Sequence, residues 1–214
     1  MSSRAARCNE ILMPPLLAML LTLNVPLVAA SADNEASKPP QTVEQLEARL
    51  WKAVQDNDLD AFQTCWVSPQ RMRAMAAKIE PPNRPSEQQL DQMTAYFQQR
   101  EAVVQAVFPI LRRAIERSAG KLDQVQLQEV RATIRKGKVV AEEFSACDIV
   151  VSGGGVQVRW TVDDGGKLDD GWYLFDKPML SIEIIRGDQR EIRGLPDFAT
   201  PEQRAALEKA LERQ

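Results

Sequence analysis

Two hydrophobic periods divide this chain. Up to about residue 119 the apolar residues return every three or four positions, and beyond it they alternate one by one. The first spacing lines one face of a helix and the second lines one face of a strand. Val43, Leu46, Leu50 and Val54, with Trp51 beside them, predict a first helix opened by Thr42, with Gln45 as its capping-box partner. Asp56-Asn57 breaks it, and Asp58 caps a short second helix carrying Leu59, Phe62, Cys65 and Trp66. Ser68-Pro69 opens a third helix, with Met72, Met75, Ala76 and Ile79 as its stripe and Pro81-Pro82 as its stop. Ser86 and Gln89 box the start of a longer helix, whose buried face is Leu90, Met93, Phe97, Val104, Val107, Leu111 and Ile115. Pro109 is expected to kink or split that helix, and Gly120 to cap its end.

The strands follow. Val130, Ala132 and Ile134 alternate with Arg131, Thr133 and Arg135. Lys136-Gly137-Lys138 turns into a second strand over 139–146, which 148–151 continues or resumes. Ser152 to Gly155 is a tight connection into Val156, Val158, Trp160 and Val162, the cleanest alternation in the chain. Asp163 to Gly171 reads as a loop before Trp172-Tyr173-Leu174-Phe175, and a last strand after Pro178 carries Leu180, Ile182 and Ile184. Thr200-Pro201-Glu202-Gln203 starts a terminal helix with Leu207 and Leu211 on its apolar face. Helices first, sequential strands second and a helix last give an α+β class, with N-terminal helices packed on a mostly antiparallel sheet and a C-terminal helix.

The first 32 residues obey another logic. Arg4 and Arg7 precede an apolar run from Ile11 to Leu23, and Ala30-Ser31-Ala32 is followed at once by Asp33-Asn34-Glu35. That order is a secretory signal, with cleavage expected between Ala32 and Asp33. A spanning helix is the weaker reading, because Pro14, Pro15, Asn24 and Pro26 interrupt the run and no basic cluster follows. The expected organisation is a signal at 1–32, a linker at 33–41, one domain at 42–198 and the terminal helix at 199–214. The product is expected to be exported, periplasmic or extracellular, with no membrane span after cleavage.

Charge and special residues then narrow the chemistry. The whole chain has a net charge of −3, and losing Arg4, Arg7 and Glu10 makes it one unit more negative. No basic footprint for nucleic acid results. Arg112, Arg113, Arg117, Lys121, Arg131, Arg135, Lys136 and Lys138 do cluster in sequence, and read as a solvated face or a dock for an acidic partner. The chain has no histidine, which excludes Ser-His-Asp and Cys-His nucleophile pairs and every His-ligated metal site. Of the three cysteines, Cys8 lies in the signal. Cys65 and Cys147 remain, either as a disulfide in an oxidising compartment or as two buried thiols.

The run from Ala48 to Phe62, with Trp51, the Asp56-Asn57-Asp58 break and Phe62, resembles the opening of nuclear-transport-factor-2-like domains. The alternating Val156, Val158, Trp160 and Val162, and then Gly171-Trp172-Tyr173-Leu174, resemble the sheet of that superfamily, and small exported members of unassigned function resemble the chain most in style. The likeness covers residues 42–186. Two features depart from it: the helical stretch from Pro69 to Ala119 is longer, and Asp176-Lys177-Pro178 interrupts the closing hairpin. The resemblance implies a curved sheet around a helix with a conical cavity, used by some members for small ligands or catalysis and by others for protein contacts. Fold alone does not choose among these.

The candidate cavity residues are Trp51, Tyr96, Glu142, Asp148, Trp160 and Trp172. Aromatics with few polar groups suit a pocket, and a desolvated Glu142 or Asp148 would serve as a base. The same tryptophans read equally as core and the carboxylates as solvated. Asp163, Asp164, Asp169 and Asp170 lack the alternate spacing of a calcium loop, so no metal is expected. Gly153-Gly154-Gly155 precedes a strand rather than a helix and reads as a turn, as does Arg186-Gly187-Asp188. The expectation is therefore a non-catalytic binding or accessory domain without a cofactor, meeting a small ligand or a protein through a cavity or sheet face. The alternatives are a small-molecule enzyme using a buried carboxylate, and a homodimeric envelope protein.

Overall fold

The computed structural model describes residues 38–81, 84–137, 140 and 142–212. The expected signal, its cleavage site at Ala32 and Asp33, and the linker up to residue 37 lie outside the described residues. From Lys38 onward the elements run α1 (Val43–Asp56), α2 (Leu59–Gln63), α3 (Pro69–Ala77), α4 (Glu87–Ala119), β1 (Gln126–Ala132), β2 (Arg135–Lys136), β3 (Glu142–Gly153), β4 (Val156–Leu168), β5 (Gly171–Leu174), β6 (Pro178–Arg186), β7 (Gln189–Gly194) and α5 (Pro201–Glu212). The strands form one sheet in the order β1-β3-β4-β6-β7, with β2 added to β3 and β5 to β4. Every strand pair is antiparallel. The class is α+β.

The starts of the helices sit where local chemistry puts them. Thr42, Asp58 and Ser68 each accept a backbone N–H from the first turn that follows. Ser86 and Gln89 form a reciprocal capping box, and Thr200 and Gln203 form another. Of the two expectations for Pro109, a kink or a split, the split does not occur, since α4 continues through it to Ala119. A proline inside a helix costs about 3 kcal/mol. Val107, Phe108, Ile110 and Leu111 flank it and are all at least 97% buried. Each such side chain contributes roughly 1.5–3 kcal/mol, so tertiary burial outweighs the local cost.

Three further differences lie in the sheet. The stretch after Val162 is not a loop: β4 runs on to Leu168 and pairs with β5. Gly165 and Gly166 are there because the Phe144 and Phe175 rings lie against their backbone, where any Cβ would collide with them. β7 was not expected. It follows a two-residue turn at Gly187-Asp188, and Ile192 is its only large apolar residue, so no alternation marks it. Ile134 falls just beyond β1 and is exposed rather than core.

The inner face of the sheet offers Ile149, Val151, Val158, Trp160, Val162, Ile182 and Ile184, and α1 and α4 cover it. Phe62 stands at the centre, its ring 4.8 Å from Phe108, 4.9 Å from Trp66 and 6.1 Å from Trp160. α5 packs against α4 and buries Leu207 and Ala210. β5 is buried on both faces. Trp172 stacks on Phe144 in the main core, while Tyr173 joins Val67, Leu168, Met72 and Met75 under α3. Among the described residues no helix is long and apolar enough to cross a membrane.

Candidate functional site

Among the described residues, the space where the resemblance implied a conical cavity is filled by core side chains. Trp51, Trp160 and Trp172 are all core, and a void between the helices and the sheet measures about 10 Å³, lined by Leu50, Val54, Leu111, Ile149 and their neighbours. That is room for about one water. Large side chains on α1, α4 and the inner sheet face fill the space. The polar candidates have different surroundings. Tyr96 is partly exposed on α4, where its hydroxyl donates to Asp176; burial and that carboxylate push its pKa up. Asp148 belongs to the outer sheet face, accepting from Thr161 at 2.7 Å and lying 3.8 Å from Arg159. Arg159 also pairs with Glu183, which pairs in turn with Arg190. Of the six candidates, Glu142 borders a substantial hollow, where it pairs with Lys167 at 3.4 Å.

That hollow is a groove between α3 and the β3–β4–β5 end of the sheet. It consists of two adjoining basins of about 620 and 360 Å³, which share Met75 and Val140. Met72, Phe144, Leu168 and Phe175 add to its apolar lining. Ion pairs edge it: Arg71 with Asp170 at 2.6 Å, Lys78 with Asp169 at 2.6 Å and Arg135 with Glu143 at 3.0 Å. Arg71 also lies over the Tyr173 ring, 4.3 Å from its centre. Asp169 and Asp170 of the acidic stretch are therefore engaged with cations at this rim. Among the described residues no group of three or more Cys, Asp or Glu side chains gathers as a metal site would require. The basic stretch is likewise engaged in part: Arg112 donates to the Val54 carbonyl and Asn57, and Arg131 pairs with Glu129.

Two charged residues that the sequence pattern did not single out are the most buried polar residues among those described. Glu47 on α1 is 1% exposed and Arg100 on α4 is fully buried. Glu47 accepts a hydrogen bond from the Cys147 thiol on β3, and its second carboxylate oxygen has no partner among the described residues. Desolvation pushes its pKa from 4.5 up to about 8, assisted by Glu44 and Asp148 and opposed by the thiol bond. Burial, and then Glu47 itself, push the Cys147 thiol up. Cys65, between α2 and α3, is a separate buried thiol that donates to Ala61 and is pushed up to about 12 by burial. The disulfide considered from sequence is therefore not formed: both cysteines are free, each beside its own acceptor. The signal for both charged residues was spacing. Glu47 stands four residues after Val43 and four before Trp51, and Arg100 stands three after Phe97 and four before Val104.

Neither a family model nor a curated protein matches the chain. A solved structure that matches is a cystatin-like protein from Ruminococcus gnavus ATCC 29149, with a TM-score of 0.34 and 13% sequence identity. The match covers 71% of this chain and 40% of that one.

The Glu47 environment predicts a pH dependence of stability. The folded state holds the Glu47 proton more tightly than the unfolded chain, so this contribution is complete below about pH 4.5 and is lost as pH rises through about 8. Glu47→Gln keeps the neutral form at all pH. It should raise stability above pH 8 by about 1–3 kcal/mol and flatten the fall between pH 5 and 8, read by urea denaturation across pH. An unchanged slope in the variant would show that Glu47 ionises freely in the folded protein.

Proposed function

We propose that this chain is an exported, non-catalytic binding domain whose ligand lies in the groove beside α3. The observation that carries the reading is the composition of that groove. Methionine, phenylalanine, leucine and valine side chains line it, and ion pairs stand along its edge. Such a surface fits a small amphipathic ligand with an apolar body and an ionic end. Methionine suits an adaptable floor, because its unbranched side chain repacks at low cost. Catalysis has less support: Glu142, Asp148 and Tyr96 each engage a different partner, and Glu47 lines neither basin of the groove.

Within this reading the domain is a divergent nuclear-transport-factor-2-like fold. Its support is the order of helices before sheet and the burial of Trp51, Phe62, Trp160 and Trp172, the aromatic positions on which the resemblance rests. Export is supported by Arg4, Arg7, the Ile11 to Leu23 run and Ala30-Ser31-Ala32.

Anilinonaphthalene sulfonate, an apolar fluorophore with one anionic group, serves as the probe. The folded protein should enhance its fluorescence, and Met75→Glu should weaken binding by about tenfold or more, since it sets a charge on the apolar floor. Met75 is only partly buried, so the variant should remain folded. Binding unaffected by Met75→Glu would remove the groove from the reading. Export has its own test: chain recovered from outside the cytoplasm should begin at Asp33, and a chain that keeps Met1 and stays in the cytoplasm contradicts it.

A further inference from the structure

β7 ends the sheet, and among the described residues no strand pairs with its other edge. It contributes nothing to the groove lining. Ile192 in its middle is 76% exposed, the most exposed of the large hydrophobic residues described. Arg190, Glu191 and Arg193 surround it.

The hairpin that delivers β7 fixes which of its backbone groups are free. Arg186 faces Gln189 across the Gly187-Asp188 turn, and Gly187 has a φ of 57°. A two-residue turn of this kind closes on a hydrogen-bonded pair, and such pairs then alternate with non-bonded ones along the ladder. Counting from Gln189, the residues bonded to β6 are Gln189, Glu191 and Arg193. Arg190, Ile192 and Gly194 therefore direct their N–H and C=O groups to the open edge.

We propose that β7 pairs with β7 of a second copy, antiparallel and centred on Ile192, to make a weak homodimer through a continuous sheet. In this register Ile192 meets Ile192, Arg190 meets Gly194, and Glu191 meets Arg193 twice by symmetry. The outward groups of Arg190, Ile192 and Gly194 bond one another across the axis. The facing Glu191 and Arg193 occupy non-bonded pairs, where side chains approach most closely. Both are accessible, Glu191 keeping 52% and Arg193 42% of its side-chain surface, and their pairing with each other within the chain, at 3.6 Å, is a solvent-exposed one that cross-axis pairing would replace. Charge selects this register. A two-fold axis at Glu191 would set glutamate against glutamate, and one at Arg190 or Arg193 would set arginine against arginine. The edge is six residues long. So short an edge makes the association weak and dependent on concentration.

Sedimentation equilibrium of the 214-residue chain over a concentration series tests this. The wild type should dimerise. Arg193→Glu should weaken the dimer by about tenfold or more, because both cross-axis pairs become repulsive. Glu191→Arg combined with Arg193→Glu restores opposite charges and should return the constant to near the wild-type value. Ile192→Pro removes an outward N–H without touching the bonds to β6, and should abolish the dimer while the near-ultraviolet spectrum stays unchanged. A wild type that stays monomeric at every concentration overturns the proposal. So does association indifferent to Arg193→Glu and Ile192→Pro, which would belong to another surface, the apolar N-terminal residues included.

Discussion

The guanidinium of Arg100 joins three parts of this domain: α4, the approach to α3 and the end of β5. It leaves the middle of α4 fully buried, donates to the Phe175 carbonyl just past β5 at 2.9 Å, and donates to the Val67 carbonyl just before α3. Its plane lies over the Phe97 ring, 4.5 Å from the centre. No salt-bridge partner stands beside it among the described residues, and its Nε has no hydrogen-bond partner there. Burial lowers its pKa to about 10, which still leaves it charged at neutral pH. Two backbone carbonyls therefore carry most of the compensation for a buried cation. Loss of such a group leaves those acceptors unsatisfied in a dry site, which costs about 1–3 kcal/mol each.

The position of the groove follows from that clamp. Val67 begins the approach to α3, and Phe175 ends the approach from β5. Arg100 sets both against α4, and the two basins open between α3 and the strand ends. The Val67 N–H and the Leu174 N–H complete the junction, bonding to the Leu174 and Cys65 carbonyls. The interior has the opposite character. Phe62 meets Trp66, Phe108 and Trp160 at ring-contact distances, and these rings fill the centre of the core. Trp160, one of the aromatic residues that suggested a cavity in the sequence, is among those that fill the core. Glu47 and Cys147 lie within that closed core, so their perturbed titration is a matter of stability.

Much of the fold was legible because its local rules agree. Caps at Thr42, Asp58, Ser68, Ser86 and Thr200 sit where the sequence places them, and the Val156 to Val162 alternation is the central strand. The misses occurred where a residue type that usually signals one thing served another. Gly165 and Gly166 read as loop residues, yet they make space for Phe144 and Phe175 within a strand. Pro109 read as a kink or a split, yet no split occurs, because the core on both sides of it holds the helix together. Glu47 and Arg100 occupied stripe positions and were passed over for their charge. The groove was least legible of all, because its lining comes from α3, α4 and strands far apart in sequence, and no single segment carries its pattern.

The central claim is that this domain meets its ligand beside α3 and not within its core. Methyl-labelled methionine and indole-labelled tryptophan spectra of the protein, titrated with an amphipathic ligand, separate the two directly. The account predicts that the Met72 and Met75 methyl signals shift while the Trp51 and Trp160 indole signals stay in place. Shifts confined to Trp51 and Trp160, with the methionine methyls unmoved, would contradict it.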